Sequence, residues 1–348
     1  MTVLDEQAHA DLVLQLLLDG VPAADSRVDW STLLPLARRN GVVIRVAERL
    51  ASLGVEPPPP FAEGVARERE RVRDAFVLVQ RVSAILRARG IPFLFAKACQ
   101  HYPDLGDDLD LLVLAPEAAV DTLLARELPA TAQPRDVGGW IAGTVTFRIR
   151  GVTTTLDVQH ERLGTVGEHR AYAVTLVRRQ RRIVVAGTEC GAPATEDQIV
   201  LQGVQRVPGR RCIRLCDVVY TASTLRRIAL DWDYILSTAR RIGVLSGLGC
   251  YLSYVEQIHR DVLLAPLLPA GVRRALPSEG WGRVEFKEGA YRFPALRANG
   301  RTYLRQLAAG LRTADWSGAA RLCCVPVVGA ATAVRYLTAR WAPPAEHP

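Results

Sequence analysis

The hydrophobic pattern changes period twice along the chain. Residues 10 to 53, and later "AEGVARERERVRDAFVLVQRVSAILRARG", repeat apolar positions every three or four residues, which predicts helices with one buried stripe. Val72, Phe76, Val79, Val82, Ile85 and Leu86 form the stripe of the second region, and Gly90 ends it. "DWSTLLPLARRNG" opens on Asp29 as an N-cap and stops at Gly41. Between these helical regions, "EPPPPF" (56–61) reads as a stiff extended break.

The period then shortens. "IPFLF" (91–95) and "LDLLVL" (109–114) read as short buried strands, and "PEAAVDTLLAREL" as a helix with Pro116 in its first turn. "TVTFRIRGVTTTLDVQH" reads as two strands around a turn at Arg150-Gly151. "RRIVVAG" (181–187) predicts one more strand. "TEDQIVLQGVQRV" sets Thr195 and Gln198 at capping-box spacing, so a helix follows. The remainder is mostly helical except "WGRVEFKEGAYRF", which reads as a hairpin. "DWSTLLPLARRNGV" (29–42) returns as "DWDYILSTARRIGV" (231–244): an Asp cap, a packed Trp (Trp30, Trp232), an apolar stripe and a Gly stop. Two copies are too few for a solenoid. They predict helical regions on both sides of a central segment that mixes strands and helices.

Composition adds limits. A chain of 348 residues, 49% hydrophobic and 23% charged, is an ordinary soluble globular sequence with more than one domain expected. Its acidic N-terminus lacks the basic start of a secretory signal. Its most apolar stretch, "CCVPVVGAATAV", is too short to span a bilayer. A cytoplasmic protein with no membrane partner is expected. Seven cysteines, an odd number, suit a reducing compartment. Cys212 and Cys216 sit on an expected helix without the second pair or nearby histidines of a zinc site, and Cys323-Cys324 reads as core filling. A net charge of +8 favours an anionic partner, but arginine is abundant throughout and the charge alone decides little.

The chemistry concentrates in "KACQHYPDLGDDLDLLV" (97–113). Alternate strand residues share a face, so Asp108 and Asp110 project together while Leu109, Leu111 and Val113 enter the core. In "TTTLDVQH", Asp157 and Gln159 share a face in the same way. If the two strands are neighbours, three carboxylates converge. Such a cluster calls for hard divalent cations with oxygen ligands, and Mg²⁺ commonly bridges carboxylates and substrate phosphates. Two such ions suit phosphoryl or nucleotidyl transfer. An isolated D-x-D more often marks a solvated strand end; the ordered set of strands, helices and third Asp shifts the balance.

That order resembles the nucleotidyltransferase fold of the DNA polymerase β type. More closely, the chain is similar to an uncharacterised bacterial branch of that superfamily. The matching pieces are Ala96-Lys97-Ala98, Tyr102-Pro103, Asp108-Leu109-Asp110-Leu111-Leu112-Val113 and Asp157-Val158-Gln159-His160, with the flanking "DW…ARR.G" helices and "EDQIVLQGVQ". The resemblance covers most of residues 29 to 250. It implies an α+β fold: a small mixed β-sheet nucleotidyltransferase core with flanking helices and a mostly helical C-terminal domain. The expected divisions are an N-terminal helical segment (1–60), the core with its D-x-D motif (61–190) and a C-terminal acceptor- and nucleotide-binding domain (191–348).

The resemblance also implies roles. Asp108 and Asp110 hold the metals that carry the triphosphate, and Asp157 completes a second metal site and helps activate the acceptor. Lys97 and Ala98 lie at the nucleotide-binding turn, where a lysine acts as a point charge on phosphate. Only Lys97 and Lys287 occur among 44 basic residues. Ala98 replaces the family's turn glycine, the segment between Lys97 and Asp108 is short, and the arginine often found before D-x-D is missing. His160, Arg148 and Arg150 are candidates near the acceptor, with His160 expected on the opposite strand face and structural. His101 reads as a surface residue and Asp217 as structural or lining the acceptor pocket. "RRQRRI" (178–183) and "RVPGRR" (206–211) are basic clusters with few aromatics between them. No P-loop, nucleophile elbow or Rossmann fingerprint is present.

The expected function is transfer of a nucleoside monophosphate from a nucleoside triphosphate, with two Mg²⁺ ions, to a small-molecule or peptide acceptor in specialised metabolism, releasing pyrophosphate. Two alternatives stand beside it: a toxin-like enzyme adding nucleotides to RNA, and a non-catalytic module that holds a nucleotide or a protein. The base, the acceptor and the oligomeric state leave no mark in the sequence.

Overall fold

The computed structural model describes residues 6–18, 28–97, 99–135, 137–207, 212–277 and 283–326. Ala98, most of the "RVPGRR" cluster and the end of "CCVPVVGAATAV" lie outside the described residues.

Four helices come first: α1 (Glu6–Leu17), α2 (Trp30–Arg39), α3 (Val43–Ser52) and α4 (Pro59–Ala88). The Asp29 side chain accepts from the Ser31 N–H at 3.0 Å, capping α2. Gly41 then takes φ +61°, a left-handed stop that glycine adopts without strain. The second copy of this pattern forms α10 (Trp232–Arg241). There Asp231 accepts from the Tyr234 N–H at 2.9 Å and Gly243 takes φ +80°. Both tryptophans are partly buried against the core, Trp30 edge-on to Phe61. The extended break is shorter than expected. Pro59 and Pro60 lie in the first turn of α4, where a missing N–H costs nothing.

The central sheet contains β1 (Phe93–Phe95), β2 (Asp108–Val113), β3 (Ala130–Ala132), β4 (Thr144–Ile149) and β5 (Thr155–His160), in the order β1-β2-β5-β4-β3. β2 and β5 run parallel and the other pairs antiparallel, so the sheet is mixed. Helices α5 (Glu117–Glu127) and α6 (Val137–Ala142) lie in its connections. One face is uniformly apolar: Leu109, Leu111, Leu156, Val158, Val145 and Phe147 share a core with α4 and α5. The other face divides along β2. At its C-terminal end Leu112 joins a second core, together with Leu94 and residues of α7 (Arg170–Arg178), α8 (Thr195–Gln205), α9 (Leu215–Arg227) and α11 (Leu245–Leu263). At its N-terminal end stand the carboxylates. Helices α8 and α11 approach closely at Gly203, where an added Cβ would lie 2.8 Å from the Leu248 Cβ.

β6 (Arg181–Val185) pairs with β7 (Thr188–Ala192), a strand hidden in the sequence because "TECGA" has no apolar alternation. β7 packs on α4 and β1. β8 (Cys212–Ile213), β9 (Glu285–Lys287) and β10 (Ala290–Arg292) form a third small sheet, which includes the expected hairpin. The chain continues through α12 (Ala270–Ala275), α13 (Leu296–Arg312) and α14 (Trp316–Cys323).

Three local expectations are corrected. Cys212 lies in β8, not on a helix with Cys216. The α8 capping box does not form: Thr195 is already helical, and Gln198 accepts from the Tyr220 hydroxyl instead. Cys323 is exposed and Cys324 partly so, because they end a short surface helix rather than fill a core. The fold is α+β, with a small mixed sheet, flanking helices and a largely helical C-terminal region. Among the described residues, no helix is long and apolar enough to cross a membrane.

Candidate active site

The register of β2 on β5 pairs Asp110 with Asp157 and Asp108 with Thr155. Neighbours in register project to the same side of a sheet, as do residues two apart on one strand. The three carboxylates therefore share one face at the middle of the sheet. Asp157 is also paired across β4 with Thr146, whose hydroxyl hydrogen-bonds its carboxylate. Arg148, two residues on, emerges exposed on the same face.

Asp110 is buried, while Asp108 and Asp157 are partly exposed. Lys97 Nζ donates to Asp110 Oδ1 at 3.1 Å and lies 3.0 Å from its Oδ2. Asp157 Oδ1 is buried without a hydrogen-bond partner. Burial raises the Asp157 carboxyl above its ordinary pKa. The charges of Asp108 and Asp110 push the same way, against the Thr146 hydrogen bond and Lys97. Of the three carboxylates, Lys97 thus contacts Asp110 alone, and the buried Asp157 Oδ1 is left bare. An all-oxygen, negatively charged donor set of this kind suits a hard divalent cation such as Mg²⁺.

The segment between Lys97 and Asp108 is pinned at several points. Ala96 N–H bonds to Asp110 C=O at 2.8 Å, extending the β1–β2 ladder. Arg71 of α4 donates to the carbonyls of Leu105 (2.9 Å) and Gly106 (2.8 Å) and to Thr154 Oγ1 (3.3 Å). One guanidinium thereby ties the entry to β2 to the entry to β5 and fixes the two acid-bearing strands relative to each other. Asp104 accepts from the N–H groups of Ile44 (2.7 Å) and Arg45 (3.2 Å), satisfying the start of α3. Burial pushes its carboxyl up to about 6, against the pull of Arg45. Neither residue stood out in the sequence. Arg71 sits in "RERERVR", which reads as a solvated face; its only signal is its place beside Val72 of the buried stripe.

The remaining candidates scatter. His160 points to the other face, with Nε2 3.1 Å from Asp121 Oδ1 and Nδ1 3.3 Å from the Gly143 carbonyl oxygen, so it holds α5 to the sheet. Arg150 is exposed in the β4–β5 turn. Ala98 lies outside the described residues. In the basic run, Arg179 donates to Asp197 Oδ2 at 3.0 Å and stacks over Tyr234, and Arg182 lies 3.9 Å from Glu189.

His101 is corrected: it is buried, not on the surface, because the 97–107 segment folds inward against α9. Its Nε2 lies 3.6 Å from Asp217 Oδ1, and burial drives its pKa well below the usual imidazole value, so it stays neutral. Asp217 accepts from Arg206 Nη2 at 2.5 Å and from the Arg214 N–H at 3.1 Å. Burial pushes its carboxyl up, but Arg206 and Arg214 outweigh that and hold it below the ordinary range. The sequence also gave no sign of Arg214. Its guanidinium Nε is buried without a partner, and its pKa is held high by Cys216 and then by Asp217, Asp107 and Asp108. It is the cation of the helical region that reaches toward the acidic lip.

The comparison with known families places the chain that carries these acids. A family model described as "Uncharacterised nucleotidyltransferase" matches residues 26–259, more than half of the chain. The chain belongs to that family, and the match spans Lys97 and all three aspartates. No curated protein matches the chain. Five solved chains match. One, described as "tRNA-processing enzyme (apo form I)", is 12% identical with a TM-score of 0.28, covering 75% of this chain and 66% of that one. The chain thus spans just under two thirds of that protein's length.

Proposed function

We propose that the face bearing Asp108, Asp110 and Asp157 transfers a nucleoside monophosphate from a nucleoside triphosphate to a small-molecule or peptide acceptor, in the manner of DNA polymerase β-type nucleotidyltransferases. The carrying observation is the in-register pairing of Asp110 with Asp157 beside a bare Asp157 oxygen. Asp108 and Asp110 would hold Mg²⁺ with the triphosphate, and Asp157 would share a second ion. Bound there, the ions supply charge neutralisation at the attacking and leaving oxygens.

The protein's own groups do the rest. Lys97, now engaged with Asp110, turns to the phosphates as a mobile point charge when a nucleotide arrives. Arg71 keeps both acidic strands in place, so the site is positioned before substrate binds. The acceptor's nucleophile bonds to the α-phosphorus, the bond to the pyrophosphate oxygen breaks, and pyrophosphate departs. Arg148 and Arg150 border the open side, where an anionic acceptor or phosphate would meet them. Arg179 is held by Asp197, which takes one cation of the basic run out of RNA binding and favours a small acceptor.

The test is mass spectrometry of candidate acceptors incubated with each nucleoside triphosphate and Mg²⁺. A nucleotide-sized mass gain with stoichiometric pyrophosphate, absent in Asp108→Ala, is expected. Transfer that persists in Asp108→Ala contradicts the assignment, and a salt-sensitive tRNA product redirects it to RNA.

A further inference from the structure

Six residues lie between Cys99 and Gly106 in the segment that leads from Lys97 to the acidic strand, and the Cys99 thiol is buried. Its Sγ lies 2.7 Å from the Sγ of Cys190 on β7, in the core behind the sheet. Both cysteines are free and buried. They come from positions 91 residues apart, so only the packing of the β6–β7 hairpin on β1 and α4 brings them together.

We propose that Cys99 and Cys190 form a reversible intramolecular disulfide, a redox-controlled modification site that ties the Lys97 segment to the β6–β7 hairpin. The two sulfurs are already in contact, so only a small shift of β7 against the segment brings them to bonding distance. The two thiols hydrogen-bond to each other, and either can be the donor. Cys190, the sulfur that Arg87 faces, is taken as the attacking thiolate. Arg181 and Glu189 are the other charges that face the pair. A cleft of about 460 Å³, lined by Phe76, Tyr102, Pro103, Gly187 and Thr188, opens between the segment and the hairpin that carry the two cysteines.

The oxidant is a small-molecule disulfide. The Cys190 thiolate attacks one of its sulfurs and expels one thiolate, leaving a mixed disulfide on Cys190. Cys99 loses its proton and attacks Cys190 Sγ, expelling the second thiolate. The two cysteines lose two electrons and the oxidant gains them as two thiols. Dithiothreitol reverses the sequence. Once closed, the bond fixes residue 99, two positions from the lysine that holds Asp110. Its effect on nucleotide use rests on the function proposed above; the bond itself does not.

The full-length protein is incubated with 2-hydroxyethyl disulfide, blocked with N-ethylmaleimide under denaturing conditions and digested without reduction. A Cys99–Cys190 cross-linked peptide that dithiothreitol abolishes is the expected result. Full alkylation of both cysteines, with modification confined to the other five, overturns the proposal. Hydrogen exchange then reads the tie independently of catalysis. Amides of residues 97–107 should slow by about tenfold on oxidation in the wild type, and not in Cys190→Ser or Cys190→Ala. Unchanged exchange in an oxidised, cross-linked wild type shows that the bond does not restrain the segment and refutes that part of the inference. A positive cross-link with no nucleotidyl transfer refutes the function and leaves the modification site standing.

Discussion

Two polar clusters flank the 97–107 segment, and they are built on opposite principles. On one side Asp108, Asp110 and Asp157 share a sheet face with Lys97, and the buried Asp157 Oδ1 has neither a hydrogen bond nor the lysine beside it. On the other, His101, Cys216 and Asp217 bring ligand-type atoms within 4.8 Å of one another, all buried. By spacing alone, the second resembles a metal site more closely. Yet Asp217 is already neutralised by Arg206 and capped by the Arg214 N–H, and the charges of both arginines hold its carboxyl ionised without a metal. The lesson is that charge balance, not proximity of ligand atoms, separates a site that awaits a ligand from a polar knot that holds a fold. By this reasoning the neutralised cluster serves the fold, and the acidic one is the site we propose for substrate.

Breaking the balanced cluster should cost the most. Asp217→Ala leaves the Arg206 guanidinium buried and unpaired, and a loss of about 3–5 kcal/mol is expected in chemical denaturation. A loss below about 1 kcal/mol would show that the cluster is not a structural pair. The unbalanced site should respond in the opposite way. Asp157→Asn should lower nucleotidyl transfer about 10²–10³-fold. It should leave the unfolding temperature of the metal-free protein unchanged or higher, because it removes a repelled, partly buried charge. A fall in stability matching that of Asp217→Ala would erase the distinction.

A smaller effect tests the segment between the two. Asp104 has its carboxyl raised from 3.8 to about 6 by burial. Between those values the folded protein holds a proton that the unfolded chain has released, so this group's contribution to stability falls as pH rises through about 6. Its slope is at most about 1.4 kcal/mol per pH unit. Unfolding measured from pH 4 to 7 should show this slope in the wild type and a flatter profile in Asp104→Asn. Equal slopes would place the titration elsewhere.

Much of the acidic site was legible because a strand has a strict period of two. "DLDLLV" and "TLDVQH" each declare which side chains share a face, and His160 falls on the wrong face by the same count. The repeated Asp-Trp helices were legible from their caps and glycine stops. Register was not legible, since no local rule pairs Asp110 with Asp157 rather than Thr155; packing of the apolar face on α4 and α5 decides it. Arg71, Asp104 and Arg214 were hidden for a related reason. An arginine in "RERERVR" acquires meaning only when the 105–106 carbonyls arrive beside it. His101 was misread because a histidine in a short polar loop gives no sign that the loop folds inward. Strand β7 was missed because "TECGA" is buried by the neighbouring strand β1 and helix α4 rather than by a pattern of its own.

The central claim is that the three aspartates together hold a cation with a nucleotide. Calorimetric titration of Mg²⁺ into the protein, in the presence of an unreactive nucleoside triphosphate analogue, tests it most directly. Saturable binding in the wild type, weakened at least about tenfold in a folded Asp157→Asn variant, is the predicted result. Equal affinity in the two proteins would contradict it.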